Sequence, residues 1–198
     1  MELSLEIRRA VKADAPDIFN ILKDSFGQYI QKSGIPLPLG DMLGDIASIE
    51  RDIETIDVFI AFFCGAPAGT VRVCVPGAAP PQTSASAPGA APPHAPACAP
   101  GATPPQTPAS APGATPPQTP AQLTKLGVMT RYNNLGIGKL LMKFVDRVII
   151  DKGAKSLELY TASKNADIMR FYYSLGFYAD STTRDRGYIR ALMRKDYA

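Results

Sequence analysis

Two asparagines, two glycines and a lysine carry the first legible chemistry in this chain: Asn133, Asn134, Gly136, Gly138 and Lys139, with Leu135 and Ile137 between them. They stand where a strand-like run, 123–129, gives way to a helical pattern. In that pattern Ile137, Leu140, Leu141, Phe144, Val145, Val148 and Ile149 recur at the spacing of one buried face. A helix N-terminus presents unpaired N–H groups and the positive end of the helix dipole. Glycine there lets an anion approach without meeting a Cβ. The combination predicts a phosphate cradle. It is not a nucleotide P-loop, because Leu140 follows Gly138-Lys139 and no hydroxyl is available for magnesium. Nor is it a dinucleotide fingerprint, since Leu141 occupies the place of the third glycine and Glu158 falls inside the next strand pattern.

Other chemistries are narrowed by what is scarce. The single histidine, His94, lies among prolines and alanines, which argues against Ser-His-Asp, Cys-His and His-based metal chemistry in the folded part. Cys64, Cys74 and Cys98 have no metal-ligand spacing. Two of them sit in apolar strand patterns and are expected as reduced, buried thiols. A formal charge of +3 without a basic run does not suggest nucleic acid. No apolar stretch approaches the roughly 18 residues of a membrane span. Acidic residues near Met1 stand where a secretory signal would carry base, so the cytoplasm is the expected compartment.

The elements that must position the cradle follow from periodicity. Residues 6–10 suit a first strand. Asp14 is placed to cap a helix with its apolar face at Ile18, Ile21, Leu22, Phe26, Tyr29 and Ile30, ended by Ser33-Gly34. A loop over 35–40 leads to a second helix with Ile46, Ile49, Ile53 and Ile56 at helical spacing. Residues 58–63 and 68–73 flank Gly65-Ala66-Pro67 as a hairpin. Gly153 suits the C-terminus of the helix that follows the cradle. Then come a strand over 156–161, a helix from Asn165 to Ser174 closed by Gly176, and a final antiparallel pair. Between the third and fourth strands, 76–121 repeats a unit of twelve residues, holds fifteen of the nineteen prolines and bears no charge. Such a segment cannot build a core, and it is expected to be a disordered insertion in one domain spanning 1–198.

The cradle, Asn133 to Gly138, resembles the coenzyme A loop of the Gcn5-related N-acetyltransferase (GNAT) family, Gln/Arg-x-x-Gly-x-Gly/Ala between a strand and a helix. Asn165 to Phe177 resembles the family's second signature, an Asn followed by Phe/Leu-Tyr-x-x-x-Gly-Phe. Both occur in the family's order. One departure is Asn133, which replaces the usual Arg or Gln and brings no charge, so backbone amides are expected to carry the pyrophosphate contact.

The resemblance implies an α/β GNAT fold: a mixed, largely antiparallel sheet of about seven strands flanked by about four helices. It implies acetyl-CoA as co-substrate, no metal, and an acceptor that is a small amine or a peptide amino terminus; it also allows a homodimer. Leu126 and Val128 would offer backbone groups to pantetheine, with the Val128 N–H facing the oxyanion. Ile137 and Lys139 join Asn133, Asn134, Gly136 and Gly138 around the coenzyme, and Asn165 would touch pantetheine or adenosine. Tyr172 would protonate the departing thiolate, and Tyr173 would be structural. The Glu that many relatives carry on the fourth strand is absent, and Thr124 and Lys125 stand there; a water chain or a carboxylate from Asp41, Asp45 or Glu54 could serve as the base instead. The alternative is a non-catalytic coenzyme A-binding or scaffold protein with the repeat as its interaction arm.

Overall fold

The computed structural model describes residues 4–77 and 119–197. Most of the repeat, and Cys98 and His94 with it, lies outside the described residues. Seven strands form one sheet: β1 (Leu5–Arg9), β2 (Asp57–Phe63), β3 (Ala66–Cys74), β4 (Ala121–Val128), β5 (Ser156–Ala162), β6 (Tyr178–Asp185) and β7 (Tyr188–Asp196). Their order is β1-β2-β3-β4-β5-β7-β6, antiparallel throughout except for β4 beside β5. The helices are α1 (Ala15–Ser33), α2 (Leu39–Leu43), α3 (Ile46–Thr55), α4 (Ile137–Asp151) and α5 (Ala166–Tyr173). The one-turn α2 occupies part of the expected loop.

Strand alternation sorts the side chains into two cores. Val58 and Ile60 of β2 pack with Ile18, Ile21 and Leu22 of α1 and Ile49 and Ile53 of α3. Phe59 and Ala61, their neighbours in sequence, face Leu141, Val145 and Ile149 of α4 on the other side of the sheet. The result is three layers, helices on both faces of the sheet.

Local chemistry explains several boundaries. Gly34, at φ 60, ends α1 in the left-handed region that a Cβ disfavours, and its N–H donates to the Ile30 carbonyl. The β2–β3 turn has two residues, Cys64 at φ 49 and Gly65 at φ 78, the pair of positive values that a type I′ hairpin requires. Cys64 is therefore exposed, not buried as its apolar neighbours suggested. Cys74 is buried at the end of β3, as expected. Asp14 stands at the N-cap of α1 without capping it. Its carboxylate turns back to accept from the Val11 N–H and from the Arg8 Nη1 and Nη2, each at 2.8 Å.

Candidate active site

The site begins with an irregularity in β4. Arg72 pairs with Lys125 and Val73 with Leu123, which leaves Thr124 unopposed as a bulge. β4 touches its parallel neighbour only at Ala121–Leu157 and Gln122–Glu158. Beyond the bulge the two strands run apart, and the gap between them is a cleft of about 980 Å³. Backbone direction then decides what β4 offers. The Met129 N–H donates to Ala68 of β3, and successive residues of a strand point their amides to opposite sides. The N–H and C=O of Val128, and with them those of Leu126, therefore turn into the cleft.

The cradle closes one end. A short turn, Thr130–Tyr132, is held to α1 by Asp24, whose carboxylate accepts from the Thr130 N–H at 2.5 Å and from its hydroxyl at 2.8 Å. Asn134 at φ 65 and Gly136 at φ 80 then bend the chain into α4. The first helical bond runs from the Leu140 N–H to the Gly136 carbonyl, and no side chain caps the helix. The amides of Ile137, Gly138 and Lys139 are left as unclaimed donors. A Cβ on Gly136 would meet nothing within 4 Å, so that face is open for an anion. Gly138 differs: a Cβ there would lie 3.4 Å from the Phe171 ring and 3.7 Å from Val128. A Cβ there would make ordinary contact with α5 and β4, and only a larger side chain would crowd them. Ile137 is buried in the core, while Asn133, Asn134 and Lys139 are exposed at the rim. The donor set of this end suits the pyrophosphate of a coenzyme.

Three tyrosines, Tyr29, Tyr172 and Tyr188, also line the cleft. Tyr29 of α1 accepts from the Ala162 N–H at 2.7 Å and lies 3.3 Å from the Thr161 hydroxyl, which anchors α1 over β5. Tyr172 of α5 is 5% exposed, packed edge-on against Phe171 and Phe177. Tyr172 lines the cleft, and its hydroxyl has no hydrogen-bond partner among the described residues. Burial first, and the neighbouring Tyr29 second, push the Tyr172 phenol well above its usual range. Tyr188, beside the β6–β7 turn, is raised in the same way. Tyr173, expected to be structural, is half exposed.

Asn165 is not among the residues lining the cleft. Its Oδ1 accepts from the Ile168 N–H as the N-cap of α5, and its Nδ2 donates to the Ser33 hydroxyl at 3.0 Å. Both polar groups are thus taken up in joining α5 to α1. The carboxylates named as candidate bases also lie outside the cleft lining. Asp45 caps α3 through the Ser48 N–H, Glu54 pairs with Lys12, and Asp41 is exposed on α2. Lys125 does line the cleft, and its Nζ donates to the Leu43 carbonyl at 2.6 Å. Asp24 and the seat of Lys125 depend on contacts between distant segments, and no local pattern signals them. Among the described residues no group of acids, cysteines or histidines could hold a metal ion.

Residues 104–177 match the model of the acetyltransferase (GNAT) family. No curated protein matches the sequence. Among solved structures, the PaiA N-acetyltransferase of Thermoplasma acidophilum in complex with coenzyme A superposes with a TM-score of 0.67 at 17% identity, over 98% of this chain and 99% of that one. The ribosomal-protein-S18-alanine N-acetyltransferase of Escherichia coli gives 0.61 at 15% identity, covering 98% and 94%. YncA of Salmonella typhimurium, with its cofactor acetyl-CoA, gives 0.61 at 14%, again covering 98% and 94%. At these identities the likeness speaks for the fold.

Proposed function

For this chain, a member of the GNAT acetyltransferase family, we propose transfer of the acetyl group of acetyl-CoA to a primary amine by direct attack. One observation carries the reading. A single cleft joins unclaimed amides at the α4 N-terminus, the inward backbone groups of Leu126 and Val128, and the unbonded hydroxyl of Tyr172. These are the three needs of thioester aminolysis, in the order in which a coenzyme would meet them.

The α4 amides and Asn133 seat the pyrophosphate, with Lys139 at the rim adding charge. The edge of β4 pairs with the amides of the pantetheine arm as an added strand would. The Val128 N–H faces the carbonyl oxygen, which becomes negative when the amine adds. Tyr172 supplies a proton to the thiolate. A phenol ordinarily titrates near ~10, and burial raises this one, so it stays protonated through the neutral range. The acceptor enters between α1, α2 and the β6–β7 turn, where Tyr29 and Tyr188 line the wall.

The test is a screen of small amines and peptides for release of free CoA thiol. Peptide amino termini come first, because a protein of the same fold is an alanine N-acetyltransferase of a ribosomal protein. Acceptor-dependent thiol release that needs Tyr172 supports the reading. Coenzyme binding without release by any amine would favour a non-catalytic role.

A further inference from the structure

An acceptor amine reaches neutral water mostly as an ammonium ion, and it must lose a proton before it can attack. Among the described residues, Asp167 is the one carboxylate lining the cleft, and it faces Lys32 and Arg170. The amine's proton therefore has no acidic side chain to receive it at the acceptor end. Lys125 stands there instead.

Its surroundings are unusual for a lysine. Lys125 follows the bulged Thr124, and its cross-strand partner on β3 is Arg72, a guanidinium that is 1% exposed. The Arg72 Nη1 donates to Asp52 of α3, and its Nε and Nη2 have no partner among the described residues. Asp52 is thus engaged by Arg72, and among the described residues Lys125 has only the Leu43 carbonyl of α2 as a direct partner. The charges acting on Lys125 come from Arg72 of β3 and Asp52 of α3; α1, packed along β4, contributes none.

We infer that Lys125 is the general base that takes the proton from the acceptor's ammonium group, an inference that rests on the acetyl transfer proposed above. Burial chiefly, then the charge of Arg72, against the opposing pull of Asp52, lower its pKa to about 8. A large fraction of Lys125 is neutral at slightly alkaline pH, with a lone pair to receive a proton. The ammonium gives one proton to Nζ, and the freed amine forms the C–N bond as the C–S bond breaks. The second proton of the former ammonium balances the thiolate, delivered through Tyr172, and Lys125 returns its own to solvent. One proton is released per turnover.

Lys125 can be titrated in the full-length protein by NMR of ¹³Cε-labelled lysine, with Lys125→Arg removing its resonance. A midpoint near 8 is expected; one above about 10 would overturn the inference. Rates of CoA release follow, with alanine amide and Nα-acetyl-lysine amide as acceptors across pH. Lys125→Arg keeps a cation that cannot give up its proton. It is expected to lower turnover about 100-fold or more while leaving acetyl-CoA affinity unchanged. Lys125→His, with a pKa of about 6.5, should recover part of the rate and move the acidic limb of the profile downward. A Lys125→Arg protein within about threefold of wild type, or a limb that does not move in Lys125→His, would refute it. The titration needs no acceptor, and wild-type thiol release needs no variant. Failure of the base and failure of acetyl transfer are therefore told apart.

Discussion

The hydroxyl of Tyr29 accepts from the Ala162 N–H at 2.7 Å, joining the middle of α1 to the end of β5 that has parted from β4. The bond holds the cleft at its acceptor end. Tyr29→Phe removes the acceptor and leaves a buried amide unsatisfied, which costs about 1–3 kcal/mol. A lower denaturant midpoint at unchanged slope is expected, with a weaker KM for the amine than for acetyl-CoA. An unchanged midpoint would mean that water replaces the phenol.

Tyr172→Phe should behave differently, because the Tyr172 hydroxyl bonds nothing among the described residues. Stability and acetyl-CoA affinity should hold, while turnover falls by about 10²–10⁴, the range for a positioned proton donor. Single-turnover rates with the best amine decide the matter. A loss of only a few-fold would assign the thiolate's proton to another group, with Tyr188 the next to test.

At the cradle the two glycines should part company. Gly138→Val pushes a branched side chain against Phe171 and Val128, so coenzyme affinity and stability should fall together, the latter by about 1–3 kcal/mol. Phe171→Leu should restore part of the stability. Gly136→Ala meets no atom and is strained only by its φ of 80, at a cost of about 1 kcal/mol. Calorimetry with CoA and thermal melts of both variants and the double mutant separate the two effects.

Lys125 should leave a trace in stability as well as in rate. Its folded pKa of about 8 lies below the ordinary 10.5, so between those values the unfolded chain holds the proton more firmly. Its contribution to stability therefore rises with pH from about 8 to about 10.5, and burying the charged form costs stability below that window. Lys125→Met should raise the melting temperature at pH 7 and flatten its rise toward pH 10. A lower melting temperature at pH 7 would mean that the bond to Leu43 outweighs the burial of the charge.

The repeat should be dispensable for coenzyme binding. Cys74 pairs with Gln122, so the described ends of β3 and β4 meet at one place. The cradle follows Val128, about 20 Å further along β4. Replacing 78–118 with a short turn is expected to leave acetyl-CoA affinity unchanged, since loop-closure entropy grows slowly with length. Weaker binding would show that the repeat touches the coenzyme site.

What the sequence determined by itself was local. The apolar spacing of α4, the glycines at 34 and 153, and the Gly-x-Gly turn into α4 could all be read in order. Each depends on backbone sterics or on periodicity within a few residues. The second motif located α5, yet it could not tell that Asn165 turns to Ser33 and its own helix. Alternation likewise predicts which face of a strand is buried but not which strand lies beside it. The insertion of β7 between β5 and β6, and the parting of β4 from β5, were decided only by the assembled sheet. Lys125 is the clearest case. As a residue type it promises a solvated cation, but Leu43, 82 positions away, and Arg72 on the next strand enclose it in the fold. Desolvation and a neighbouring charge set proton affinity, and both are properties of packing between segments far apart in the chain.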